Sequence, residues 1–212
     1  VSDLQSYVRP SVAVDTVVLT VAPDAGLSVL LVPGPGGGWA LPGTFLHEGE
    51  TLAQAVLRSL RTKAHVEGLR PRQLHVFDAP DRDDRGWVLS VAHLDVVPWE
   101  RLTPAPDDVR LVPHDRTGPL PFDHREIVDL GVAQTRREYA GAPDPAGLLP
   151  GRFTLRQLQT LHEAVAGRAL PRDTFRRRVE PALRDTGQLS SGTVGKPARL
   201  FERHPRGDRA LR

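Results

Sequence analysis

The chain has 212 residues, 39% hydrophobic and 25% charged, with no cysteine and a formal net charge of +2. That composition is ordinary for a globular protein of one large domain or a medium domain with a small one; it excludes disulfides and cysteine-ligated zinc, and no apolar run approaches the roughly 18 residues of a membrane-spanning helix. The small net charge hides an asymmetry, because residues 1–149 carry 14 Lys and Arg against 20 Asp and Glu (net −6) while residues 150–212 carry 14 against 6 (net +8).

The first ten residues, interrupted by Asp3 and Arg9, lack the apolar core of a secretion signal, so a cytoplasmic location is expected. Ser11 to Val21 is rich in β-branched residues and Leu27 to Val32 follows the turn sequence Pro23-Asp24-Ala25-Gly26, which predicts a strand hairpin. Gly34 to Gly38 reads as a loop and not as a phosphate fingerprint: the third glycine of a dinucleotide motif is missing, and no Lys-Ser/Thr pair follows. From Thr51 to Ala64, Leu52, Ala55, Val56 and Leu60 recur at helical spacing and predict an amphipathic helix. Gln73 to Phe77 and Trp87 to Val97 are strand candidates. The six prolines between Pro98 and Pro121 predict a connection with little regular structure. A helix capped by Asp123 is expected to run to about Tyr139, with Ile127, Leu130 and Val132 as its apolar side, followed by a linker over Gly141 to Gly147.

Beyond the linker, Thr154 and Gln157 fit a capping box, Phe153 and Leu158 a hydrophobic staple, and Gly167 a C-cap, which together predict a helix over 155–166. A second helix is expected from Pro171 to the Thr186-Gly187 pair, kinked or shortened by Pro181. Its apolar face would hold Phe175, Val179 and Ala182 or Leu183, with Asp173, Thr174, Arg177 and Arg184 opposite. Gln188 to Arg203 reads as a hairpin with a glycine-rich, basic tip at Gly192 to Pro197.

Two short helices, the second rich in arginine, followed by a hairpin, is the order of parts in a winged helix-turn-helix, and the local excess of positive charge suits double-stranded DNA. Arginine can meet a phosphate or a guanine edge with two hydrogen bonds. Thr174 and Arg177 are the candidates for base edges, and Arg156, Arg172, Arg176, Lys196 and Arg199 for phosphates. RNA is disfavoured by the lack of an exposed aromatic platform. None of the eight histidines shows metal-ligand spacing, so they are expected to be surface or satisfied core residues, and no metal site is assigned.

Four segments in order carry a family resemblance: Trp39-Ala40-Leu41-Pro42-Gly43; Gly49-Glu50 with Arg58; Phe153-Thr154-Leu155; and Arg172 to Arg177. Over essentially its whole length the chain resembles the NrtR family, the Nudix-related transcriptional regulators of NAD metabolism. The resemblance implies an α/β fold with a Nudix-like α/β/α sandwich over residues 1–148, including a linking helix at about 123–140, and a winged helix-turn-helix over 149–212. Aligned on the box of active Nudix enzymes, Glu50 is its first Glu and Arg58 its Arg. Thr44 and His65 stand at its outer glycines, Ser59 at the Glu after Arg, and Thr62 and Lys63 at the metal-binding Glu pair. Magnesium demands hard oxygen ligands, so no catalytic residue, metal or cofactor is expected.

By the same resemblance the Nudix-like domain binds ADP-ribose or a related NAD-derived nucleotide, which changes the grip of a homodimer on operator DNA beside NAD biosynthesis genes. Arg9, Trp39, Phe45, Glu50 and Arg58 are the pocket candidates; Trp39 and Phe45 could equally be packing residues, and Glu50 and Arg58 a structural pair. The coupling is expected to run through the helix after Asp123 and its linker. The alternative is an active pyrophosphatase cleaving ADP-ribose or another nucleoside diphosphate derivative; a third reading is a regulator that answers to a protein partner.

Overall fold

A computed structural model describes residues 3, 6–190 and 197–204. The chain divides into two compact units, one of Val1–Thr20 with Ser28–Ala133, the other of Val21–Leu27 with Gln134–Arg212. None of the described helices is long and apolar enough to cross a membrane.

The first unit is built on a mixed sheet in the order β3-β2-β1-β6-β5, with β4 paired to β1 and β7 to β2. Strand β1 (Ser11–Ala22) runs parallel to β6 (Val88–Val96), pairing Ser11 with Val88 through Leu19 with Val96, and β5 (Arg72–Phe77) lies antiparallel to β6. The β-branched run of β1 suits a strand with both faces covered, and Val14, Val17, Val18 and Leu19 are fully buried. Alternation then assigns the two faces. Val14 and Val18 pack with Val56 and Leu60 of α1 (Leu52–Ala64). Val17 points the other way, toward α2 (His124–Gly141), where a Cβ added to Gly131 would lie 2.8 Å from Val17 Cγ1. A helix can approach that closely only through a residue without a side chain.

Two short strands, β3 (Trp39–Ala40) and β4 (Gly43–Phe45), escaped the sequence reading, as did β7 (Arg110–Pro113). The Pro98 to Pro121 connection has little regular structure, as expected, its regular elements among the described residues being a 3-10 turn over Trp99–Arg101 and β7. Its prolines flank a Val109–Val112 run whose Val109 and Leu111 pack in the α1 core, and β7 pairs antiparallel with β2 (Gly26–Pro33). The expected hairpin is present as adjacent β1 and β2, and the helix after Asp123 runs two residues past Tyr139.

In the second unit, α3 (Leu155–Ala166) and α4 (Arg172–Val179) stand with a three-stranded sheet, order β8 (Phe153–Thr154), β10 (Arg199–Arg203), β9 (Leu183–Leu189). The capping box is formed: Thr154 Oγ1 accepts the Gln157 amide at 3.2 Å and Gln157 Oε1 accepts the Thr154 amide at 2.8 Å. Gly167 ends the helix in the left-handed region. Phe153, Leu158, Phe175, Val179, Leu183 and Phe201 form one core. The second helix is shorter than expected. It stops at Val179, because Pro181 has no amide to continue the ladder; a 3-10 turn covers Glu180–Ala182 and β9 starts at Leu183. Arg184 consequently sits on a strand, paired with Glu202, and not on a helix face. The hairpin tip expected at Gly192 to Pro197, Lys196 included, lies outside the described residues except for Pro197.

Candidate functional site

The first unit holds a cavity of about 330 Å³ lined in part by Asp15, Gly43, Thr44, Phe45, Lys63, Arg82, Asp83, Arg85, Phe122 and His124. Its floor is set by the β1–β4 pairing, which places Asp15 opposite Gly43. A Cβ on Gly43 would overlap Asp15 Oδ1, so this glycine is required by close approach and not by a special dihedral. Asp15 is buried and answered on both oxygens. Oδ1 is 3.2 Å from His124 Nε2, Oδ2 accepts the Ser90 hydroxyl at 2.5 Å, and Arg82 lies 3.9 Å away while its Nε donates to Asp123 at 2.6 Å. Burial alone would raise the Asp15 pKa, but the His124 and Ser90 hydrogen bonds and the Arg82 charge outweigh it and hold the carboxyl below its ordinary value. Across the cavity the Arg85 guanidinium lies 5.4 Å from the Phe45 ring centroid and 5.2 Å from that of Phe122, and is clamped by Asp83 through Nε and Nη2 at 2.8 and 2.7 Å.

Of the pocket residues expected from sequence, Phe45 lines the cavity. Trp39 is half-buried with Arg110 stacked 4.1 Å above its ring, Arg9 is exposed, and neither belongs to the cavity wall. Glu50 and Arg58 form a two-pronged pair, Arg58 Nε to Oε1 and Nη2 to Oε2, both at 2.8 Å. Arg58 also donates to the Thr44 hydroxyl at 3.2 Å and the Phe45 carbonyl at 2.9 Å, so the pair fastens the loop before α1 to the helix. The Arg58 hydrogen bonds, with the His47 amide, hold the Glu50 carboxyl at about 2. Asp15, Arg82, Arg85, Phe122 and His124 were not picked out by the sequence, and no local periodicity marks them, since the fold gathers them from separate segments.

The residues at the box positions do not fit a divalent ion. Lys63 Nζ donates to the Gly43 carbonyl at 2.6 Å, Thr62 Oγ1 donates to the Arg58 carbonyl at 2.8 Å, and both oxygens of Glu50 are taken by Arg58. Among the described residues no cluster of three His, Asp or Glu is placed to hold a metal. His65, at the trailing glycine position, keeps the left-handed backbone at φ 55° and caps α1.

In the second unit, α4 exposes Arg172, Thr174, Arg176 and Arg177, and Arg156 is exposed on α3. Arg156, Arg172 and Arg176 line one groove between these helices. Arg176 Nε donates to Glu180 at 2.7 Å, and Arg199 on β10 reaches Glu180 at 3.0 Å and Asp185 at 2.9 Å, so a carboxylate ties the end of α4 to the sheet. Arg177 contacts only the Asp173 carbonyl, at 3.3 Å, among the described residues.

Comparison with known proteins finds a NUDIX domain over residues 10–130 and an NrtR DNA-binding winged helix domain over 145–202. The chain resembles Shewanella oneidensis NrtR crystallised with a 27mer DNA at TM-score 0.75 and 32% identity, covering 91% of this chain and 93% of that one. The NUDIX domain of that regulator in complex with ADP ribose matches at TM-score 0.54 and 30% identity, over 63% of this chain and 93% of that one. The ADPR responsive transcriptional repressor NtrR of Acinetobacter baylyi is 26% identical over 92% of this chain and 82% of its own. The ADP-ribose pyrophosphatase of Methanocaldococcus jannaschii is 35% identical over 58% of this chain and 73% of its own.

Proposed function

Because this chain belongs to the NrtR family, with a NUDIX domain followed by an NrtR winged helix domain, we propose that it is a cytoplasmic, homodimeric repressor of NAD biosynthesis genes. Residues 1–148 form its sensor for ADP-ribose or a related nucleotide, and residues 149–212 hold a roughly palindromic operator. The observation that carries this reading is the exposed cationic face of α4, Arg172, Arg176 and Arg177, in a chain that aligns over 91% of its length with a regulator crystallised on DNA. One short recognition helix makes few contacts, so two half-sites read by a dimer multiply affinity. Thr174 and Arg177 read base edges, while Arg156, Arg172, Arg176, Lys196 and Arg199 meet phosphates.

The nucleotide changes DNA affinity only if it prefers one arrangement of the protein. Helix α2 starts with His124 in the pocket wall and is shared between the two units, which makes it the element through which that preference reaches the reader. A gel-shift titration of operator DNA with and without saturating ADP-ribose tests this: the two affinities differ if the pocket is a sensor, and equal affinities remove that role.

The second reading, a pyrophosphatase, draws on the Methanocaldococcus jannaschii relative. The tethering of Glu50 to Arg58 and the placement of Lys63 favour a non-catalytic pocket. Release of AMP from ADP-ribose with magnesium, abolished by Glu50→Gln, would establish the enzyme instead.

A further inference from the structure

Three cations line the pocket, and two of them are already neutralised. Arg82 is buried against Asp123 and Asp15, and Arg85 is clamped by Asp83. Lys63 differs. It is exposed, its ammonium donates to the uncharged Gly43 carbonyl, and among the described residues it has no carboxylate within ion-pair distance. An ammonium has three N–H groups, so two remain to be used once Gly43 has taken one. The Gly43 carbonyl fixes where the charge sits, beside Thr44 and over the cavity.

Resting on the reading of this pocket as a nucleotide sensor, we propose that Lys63 is its phosphate anchor: a built-in monovalent charge that lets the pocket take a nucleoside diphosphate without any divalent ion. The same substitution that removes a box carboxylate thus supplies the counter-charge a metal would have brought. Lysine binds phosphate as a point charge, and charge-assisted hydrogen bonds to an anion are about twice as strong as neutral ones. A competing role is local. Lys63 lies in the last turn of α1, where a cation answers the helix dipole, and that role would register in thermal stability and not in ligand affinity.

Calorimetry on the full chain separates the two. ADP-ribose is titrated in EDTA and in magnesium, and inorganic diphosphate in EDTA, into the natural protein, Lys63→Met and Lys63→Arg. The natural protein should bind ADP-ribose equally in both buffers. Lys63→Met should weaken both ligands by about ten- to a hundredfold with little change in Tm, and Lys63→Arg should restore most of the loss. Unchanged affinity in Lys63→Met, or binding that needs magnesium, overturns the anchor while leaving the nucleotide reading intact. Diphosphate binding that depends on Lys63 without any ADP-ribose binding supports the anchor and overturns the nucleotide reading. Binding of neither ligand by the natural protein removes both.

Discussion

His124 ties Asp15 on β1 to the backbone between β3 and β4: its Nδ1 accepts the Leu41 amide at 3.1 Å, so the ring hydrogen sits on Nε2, which faces Asp15 Oδ1 at 3.2 Å. Leu41 and His124 are both buried, and among the described residues no other acceptor takes that amide. In His124→Phe the shape is nearly kept but a buried donor loses its acceptor, at about 1–3 kcal/mol. Urea unfolding should register that loss. Combined with Asp15→Asn, the total should fall short of the sum of the single effects, because both substitutions break one network. Strict additivity would show that the two residues act separately.

Gly43→Ala tests the floor of the pocket. The added methyl collides with Asp15 Oδ1 and also lies 3.1 Å from the Val14 carbonyl oxygen, a backbone atom that cannot swing aside. Overpacking of this kind costs about 1–3 kcal/mol. The expected result is a lower Tm together with weaker ADP-ribose binding, since Lys63 takes its bearing from the Gly43 carbonyl. An Ala variant as stable as the natural protein would mean that β4 shifts freely along β1.

The winged piece was legible in detail because its signals are local. Thr154 with Gln157, Phe153 with Leu158, and Gly167 each act across a few residues, and each forms the contact its spacing implies. The far end of α4 was misjudged where two local rules competed, the helical spacing of Leu183 against the missing amide of Pro181, and the proline prevailed. The pocket was less legible for the opposite reason. Asp15, Gly43, Lys63, Arg82 and His124 meet only after β1, β4, α1, the 82–85 loop and α2 are in place, and no spacing in the chain records that meeting. Strands β3, β4 and β7 are two to four residues long and are held by distant partners, so their own sequences carry too few alternations to declare them. Lys63 was visible as the loss of a metal ligand, but its bond to Gly43 was not.

His162 predicts how the second unit responds to acid. The ring is buried between Tyr139 and Phe175, at centroid distances of 5.0 and 5.1 Å, and Nε2 accepts the Asp144 amide at 3.3 Å. Burial, reinforced by the Arg178 charge, lowers its pKa to about 4. In the unfolded chain an ordinary histidine takes a proton near pH 6.5. Between those two values the unfolded state therefore binds the extra proton, and stability declines as pH falls from about 6.5 toward 4. Thermal melts of the natural protein and of His162→Gln over that range should differ in slope, with the variant flatter. Parallel slopes would place the acid sensitivity elsewhere.

Arg177 and Lys196 should fail in different ways on DNA. Arg177 is exposed on α4 and, among the described residues, has only a backbone carbonyl as partner, so its guanidinium can turn to a base edge without breaking an ion pair to them, whereas Arg176 and Arg199 must first leave Glu180. Arg177→Ala should weaken operator binding by about 1–3 kcal/mol and relax the sequence preference. On the proposal that Lys196 meets a phosphate, affinity in Lys196→Ala should drop evenly across sequences and the salt dependence should flatten by about one unit of slope. Glu180→Gln removes the ion pair of Arg176 and one of the two that hold Arg199, which keeps Asp185, and should tighten binding to any duplex, most visibly at low salt. Fluorescence anisotropy with operator and scrambled duplexes over a salt series reads all three, and a uniform loss for Arg177→Ala, with selectivity kept, would mean that another residue of α4 reads the bases.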